Sequence, residues 1–233
     1  MKPISDFKKL SSQARFVIIL FGLAGLLSAG WAMMSGEVPQ SGPLVLLVLL
    51  GAATAHGKVK LSKTASLSLL TSVVMQSLMV AGLIAATAVG VAGVTVQAFA
   101  PSRKFVMHRF VFNAAMVILA TQAASVPYYW VISHNLAVTL LGDLLGIAAA
   151  SLTYYFGNSI AISLIVAVTE CKSTFRVWYD HFFAAAPSFL SSGLLSFVVV
   201  ESLSKMALSA AILLPLLYIS YRSVRMAGRL ATR

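Results

Sequence analysis

Charge is scarce in this sequence: 10% of its 233 residues are Asp, Glu, Lys or Arg, whereas 59% are hydrophobic. A soluble domain is about a quarter charged and about 45–50% apolar, so a water-soluble fold is excluded. Acid is scarcer still, with 6 Asp and Glu against 17 Lys and Arg. Cysteine is nearly missing: Cys171 stands alone, which rules out an intramolecular disulfide framework and any CxxC metal or redox motif. Signatures of several enzyme classes are missing too. The sequence has no H-E-x-x-H, no glycine-rich phosphate loop and no apolar run with paired carboxylates for acid–base work. His56, His108, His134 and His181 are scattered singly near the ends of apolar runs and make no metal site. Neither enzymatic activity nor a cofactor is expected.

What is present is long apolar runs, and a bilayer-crossing helix needs about 20 such residues. Phe16 to Met34 is the first; it is too long for a signal-peptide core and lacks a clear cleavage site, so it reads as a span. Pro43 to His56 is a short second span, either thin, tilted little, or extended by snorkelling of Lys58 and Lys60. Ser66 to Phe99 carries no charge over 34 residues, too many for one helix, and divides into two near Gly82. Phe110 to Val131 is the fifth span, with Pro127 near an aromatic end at Tyr128, Tyr129 and Trp130 that suits a membrane interface. Leu140 to Thr169, Phe182 to Val200 and Ala207 to Tyr221 complete eight. Gly90, Gly93 and the small run 148–151 allow close helix packing. The expected architecture is an all-α polytopic membrane bundle: a cytoplasmic segment 1–15, a transmembrane domain 16–221 and a basic cytoplasmic helix 222–233.

Charge placement orients this map. With the N-terminus in the cytoplasm, sixteen of the 17 basic residues fall in inner segments and only Lys205 falls outside. The positive-inside rule therefore puts both termini in the cytoplasm. The same placement explains the basic balance by orientation and contact with anionic membrane lipid, with no role for nucleic acid.

No ionisable group lies midway along any of the eight spans, which argues against proton relays and ion pumps. Neutral polar residues are the remaining candidates. Asn158 lies near the centre of the sixth span, and Tyr154 sits one turn earlier on the same face. Either they present an amide and a phenol to a small ligand, or they pack against a neighbouring helix. Gln76, Asn113 and Gln122 are candidates of the same kind, Asn113 standing near the inner surface. Tyr129, Trp130, His134, Asn135 and Asp143 gather at the outer end as a pocket mouth or a wet aromatic belt. In the loop Glu170 to His181, Glu170 with Arg176 or Lys172 with Asp180 form candidate ion pairs.

Several stretches resemble a known family. "HRFVFNAAMVILA" (His108 to Ala120), "SLTYYFGNSIAISLIVAV" (Ser151 to Val168), "FRVW" (Phe175 to Trp178) and "LLPLLYISYRSVR" (Leu213 to Arg225) are similar to the MASE-type membrane-associated sensor domains. "LSKTASLSLLTSVVM" (Leu61 to Met75) resembles the polar turn leading into that family's third hydrophobic segment. Such domains precede bacterial HD-GYP phosphodiesterases and GGDEF cyclases. The resemblance covers about Leu44 to Arg225, with Phe112 to Ala115 and Phe156 to Asn158 its most specific pieces. It implies a sensory module of the bacterial inner membrane that biases a cytoplasmic cyclic-di-GMP domain joined beyond Arg233, with Asn113 and Asn158 as the family-like positions.

The expected function is thus binding of a small, amphipathic or lipid-soluble molecule between helices, with the signal leaving through the last helix. Pro215 would loosen that helix, and Arg222, Arg225 and Arg229, three and four residues apart, would form one stripe along its continuation. The expected partners are membrane lipid, the unidentified ligand and a second copy of the chain. A transport component resembling the S-components of vitamin uptake systems is the alternative; it would need an energising partner docked on small-residue helix faces.

Overall fold

In the computed structural model, the structure describes residues 7–35, 41–56, 58–60, 66–99, 105–134 and 140–205. The expected eighth span, with Pro215, Arg222, Arg225 and Arg229, lies outside the described residues, as does Asn135. Seven helices follow in order: α1 (Ser12–Ser35), α2 (Ser41–Thr54), α3 (Leu69–Ala98), α4 (Met107–Ser133), α5 (Leu140–Glu170), α6 (Thr174–His181) and α7 (Ala186–Lys205). Five helical stretches are long and apolar enough to cross a membrane: Ser12–Met34, Leu69–Ala98, Met107–Ser133, Leu141–Glu170 and Phe183–Ser202. A multi-pass membrane bundle is the architecture they fit.

The long α3 is not one rod. Gly82 has φ 78° and ψ −172°, a conformation that breaks the helix. A Cβ on Gly90 would stand 3.7 Å from Val74 Cγ2, and one on Gly93 would collide with the Leu70 side chain. In a straight helix, positions 70 and 93 would be about 35 Å apart. The chain therefore reverses at Gly82 into a hairpin whose limbs, 69–81 and 83–98, are about 20 and 24 Å long. This is the division that the charge-free run of 34 residues called for, and glycine at the turn supplies the backbone freedom.

Direction alternates along the chain. A Cβ on Gly25 would overlap Ala115, and Ser28 bonds to Gln122, so α1 and α4 run parallel. Gly146 faces Val131 while Gly157 faces Ala120, so α4 and α5 run antiparallel. The Gln97 amide donates to the Ala55 carbonyl at 2.7 Å, which aligns the end of α2 with the end of the second α3 limb. Helix α4 lies centrally against α1, α3 and α5, and α7 closes the bundle against α3 and α5. One apolar core joins Leu70, Val74, Met75, Val89, Tyr154 and Phe197; a second joins Val17, Ile18, Phe112, Met116 and Val117.

Helix ends follow local chemistry. The Ser11 hydroxyl accepts the Ala14 amide at 3.1 Å and caps α1. Cys171 adopts φ 53° after α5, and the Lys172 amide reaches back to the Ala167 carbonyl at 2.9 Å, a Schellman-type stop.

Three expectations are corrected. Residues 66–68 begin no helix; they pair antiparallel with Lys58–Lys60 in a two-stranded ladder, and α3 starts at Leu69. The segment Glu170 to His181 is not simply a loop, because 174–181 form α6. Its ion pairs are Lys172 with Glu170 at 2.7 Å and Arg176 with Asp180 at 3.9 Å, the second set by the i,i+4 spacing of α6. In the expected pairing, Glu170 and Lys172 each had a partner farther along the segment; they are satisfied by each other.

Candidate functional site

Among the described residues, apart from the tyrosines, the polar side chains buried as a whole are Ser or Thr. Most of the serines line the meeting of α3, α5 and α7. On α7, Ser188, Ser192 and Ser196 recur every four residues and so share one face. That face meets the first limb of α3 through a reciprocal pair of bonds: the Ser72 hydroxyl donates to the Ser192 carbonyl at 3.1 Å, and the Ser196 hydroxyl donates to the Ser72 carbonyl at 2.8 Å. Small side chains let the backbones approach closely enough for both.

Helix α5 supplies the third wall with the stripe Ser151, Tyr154, Tyr155 and Asn158, spaced i, i+3, i+4, i+7. Ser151 stands against Gly193, where a Cβ would collide with its hydroxyl. The rings of Tyr154 and Tyr155 lie 6.3 and 5.2 Å from that of Phe189. These contacts run α5 and α7 antiparallel and place Ser188 between the levels of Ser151 and Asn158. Three oxygens along this seam are buried with no hydrogen-bond partner: Ser151 Oγ, Ser188 Oγ and Asn158 Oδ1. Each such group costs about 1–3 kcal/mol when left unpaired.

Helix α6 is latched beside the seam. Trp178 Nε1 donates to Ser159 Oγ at 2.9 Å, and the Tyr155 hydroxyl donates to the Phe182 carbonyl at 3.0 Å. Tyr155 and Ser159 lie one turn apart on α5, so α6 folds back along it. Phe156 stacks on Trp178 at 6.1 Å, continuing the aromatic surface outward.

The sequence-derived candidates separate. Tyr154 is fully buried in the core, and Asn158 lies one turn along on the same stripe. Gln76 is half-buried on the first limb of α3, four residues after Ser72. Gln122 is committed elsewhere: it accepts the Ser28 hydroxyl, and its amide donates to the Ser28 carbonyl, joining α4 to α1. Asn113 points to the exterior of α4. At the other end, Tyr129 and Trp130 are exposed, with the Trp130 and His134 rings 4.6 Å apart, while Asp143 is half-buried in the first turn of α5. The structure thus brings Tyr154 and Asn158 to one seam and leaves Gln122, Asn113 and the aromatic end apart from it. Ser151 belongs to the small run 148–151 read as a close-packing surface, and it does pack against Gly193; sequence reasoning missed Ser72, Ser188, Ser192 and Ser196, and for the last three the signal was the four-residue recurrence of serine in "SFLSSGLLS" (Ser188 to Ser196).

Chemically, the seam offers two hydroxyls and an amide oxygen in apolar surroundings, a set suited to hydrogen-bonding a neutral polar group. Comparison with family models, curated proteins and solved structures finds no match to this chain.

Proposed function

We propose that the chain is a non-enzymatic, membrane-embedded sensory domain that binds a small neutral ligand at the α5–α7 seam. Its output is a cytoplasmic cyclic-di-GMP enzyme joined beyond Arg233, and its setting is a bacterial inner membrane. The observation that carries the reading is the set of unpartnered oxygens on Ser151, Ser188 and Asn158. A resting bundle with orphaned polar groups is poorly satisfied there, and a ligand that pairs them favours the arrangement that admits it. Every 1.4 kcal/mol of such differential binding shifts the two arrangements tenfold. Helix α7 carries one wall of the seam and leads directly towards residues 206–233, so a shift of α7 is passed on to the proposed last helix.

The topology we propose is eight crossings with both termini cytoplasmic. The alternation of α1, α2, the two α3 limbs, α4 and α5 supports it, as do Lys8, Lys9, Arg15, Arg109, Lys172 and Arg176, all at the end where α1 and α4 begin and α5 finishes. The sensory reading is preferred to a transport component on one observation. Gly25, Gly90, Gly93 and Gly193 are engaged in packing within the chain, while Gly30 on α1 and Gly42 on α2 are the isolated glycines with open space that an energising partner could use.

The test joins a diguanylate cyclase after Arg233 and measures its activity at matched membrane abundance. Asn158→Leu and Ser188→Ala should each shift the output set point. Output indifferent to both would overturn the reading.

A further inference from the structure

A second feature lies on the opposite side of the bundle. Between α1 and α4 runs a groove of about 490 Å³, walled by Ile18, Ile19, Leu23 and Leu26 on one side and Met107 and Val111 on the other. From Ile18 to Leu26 it is about 12 Å long. Helix α1 is the outer wall of the bundle, and its Leu26 and Leu27 are 72% and 76% exposed. In a membrane this groove opens on lipid.

One end of the groove is cationic. Arg15 lies three and four residues before Ile18 and Ile19, which puts it on the groove's own stripe at its mouth. Its Nε is buried and without a hydrogen-bond partner, while Nη2 makes a long contact of 3.4 Å with Ser12 Oγ. The guanidinium thus has donor capacity unused. Lys8 and Lys9 precede it in the 3-10 turn Phe7–Lys9, and Phe7 packs its ring 5.7 Å from that of His108 across the mouth. Helix α4 starts at the same end, and its N-cap Val106 makes no side-chain cap hydrogen bond. The helix start therefore adds its own preference for negative charge.

An apolar trough that faces lipid and ends at Arg15, with Lys8 and Lys9 just before it in the chain, has the two-part chemistry of one molecule. We infer that the α1–α4 groove is a binding site for an anionic phospholipid of the surrounding leaflet, with an acyl chain along Ile19, Leu23 and Leu26 and its phosphate on Arg15. The acyl chain is held by apolar burial, and the phosphate accepts from the outer guanidinium nitrogens of Arg15. Arginine suits this role because its fork of donors matches phosphate oxygens. This inference is independent of the proposed ligand seam, which lies on α5 and α7.

The test exchanges the full chain into detergent with added phosphatidylglycerol, phosphatidylcholine or inorganic phosphate, and reads retained lipid by native mass spectrometry together with the thermal midpoint. Phosphatidylglycerol should be retained and raise the midpoint more than phosphatidylcholine. Arg15→Ala should cut that preference by about fivefold, the weight of one basic residue at an anionic surface. Ile19→Trp, which fills the trough, should remove retention of both lipids, whereas Leu27→Trp, off the groove, should leave it intact. Equal retention of the two lipids by the wild type, an undiminished preference in Arg15→Ala, or the same stabilisation from inorganic phosphate would each overturn the inference.

Discussion

The phenol oxygen of Tyr129 lies 3.4 Å from the place where a Cβ of Gly82 would stand, and it accepts the Leu83 amide just after the turn. One residue near the end of α4 thus holds the reversal of α3. The backbone at Gly82 (φ 78°, ψ −172°) is in a region open essentially to glycine alone, and other residues there carry about 1–3 kcal/mol of strain. Gly82→Ala should lower the thermal midpoint, and Tyr129→Phe should lower it by less, at about 0.5–1.5 kcal/mol for the lost bond. Gly30→Ala is the control, because a Cβ there meets nothing within 4 Å and alanine favours the helix by up to about 1 kcal/mol. Gly82→Ala with wild-type stability would show that the chain does not turn there.

The turn at Gly82 was legible because length decides it: 34 uncharged residues exceed what one tilted helix can use. The long helices were legible for the same reason. Short elements were not. Lys58–Lys60 pairs with 66–68 through backbone bonds that leave no apolar periodicity to read. Helix α6 has eight residues that mix charged and aromatic side chains, and Val177 is its one buried residue. At the seam, Asn158 stood out as an amide inside an apolar run, but serine gives no such contrast. A buried serine usually satisfies itself on the carbonyl one turn back, as Ser77 does on Val73 at 2.7 Å, so its sequence does not reveal which hydroxyl crosses to another helix.

The bonds between Ser72, Ser192 and Ser196 should be separable. Ser72 donates only across the interface, whereas the single proton of Ser196 is shared between the Ser72 carbonyl at 2.8 Å and the Ser192 carbonyl at 2.7 Å. Ser72→Ala therefore loses a full interhelical bond and Ser196→Ala a shared one. Such bonds in membrane bundles average about 0.6 kcal/mol and reach about 1.7. Unfolding titrations should rank Ser72→Ala as the more destabilising. The reverse order would mean that Ser196 bonds wholly across to α3.

Gln122 and Asn158 are both amides in apolar helices, and their replacement should have opposite effects. Gln122 uses its oxygen and its nitrogen on Ser28, so Gln122→Leu breaks two bonds and leaves the Ser28 hydroxyl to find another acceptor. Asn158 Oδ1 has no partner, so Asn158→Leu removes an unpaired acceptor. The thermal midpoint should fall for Gln122→Leu and hold or rise for Asn158→Leu. A comparable loss for Asn158→Leu would mean that its oxygen is satisfied within the bundle.

Cys171 reports both the end of α5 and the side of the membrane on which it lies. It is exposed, and it occupies the left-handed position that closes the helix, where a residue with a Cβ costs about 1–2 kcal/mol relative to glycine. Cys171→Gly should therefore raise the thermal midpoint. The basic residues Arg15, Arg109 and Lys172 stand at this same end of the bundle, the end that the proposed orientation, by the positive-inside rule, puts in the cytoplasm. A membrane-impermeant maleimide should then miss Cys171 in intact cells and react once the cells are permeabilised. The reciprocal variant Cys171→Ser with Ser133→Cys carries its thiol at the exposed far end of α4 and should react from outside without permeabilisation. Labelling of Cys171 in intact cells, or protection of the thiol at 133, would invert the proposed orientation while leaving the helix packing as described.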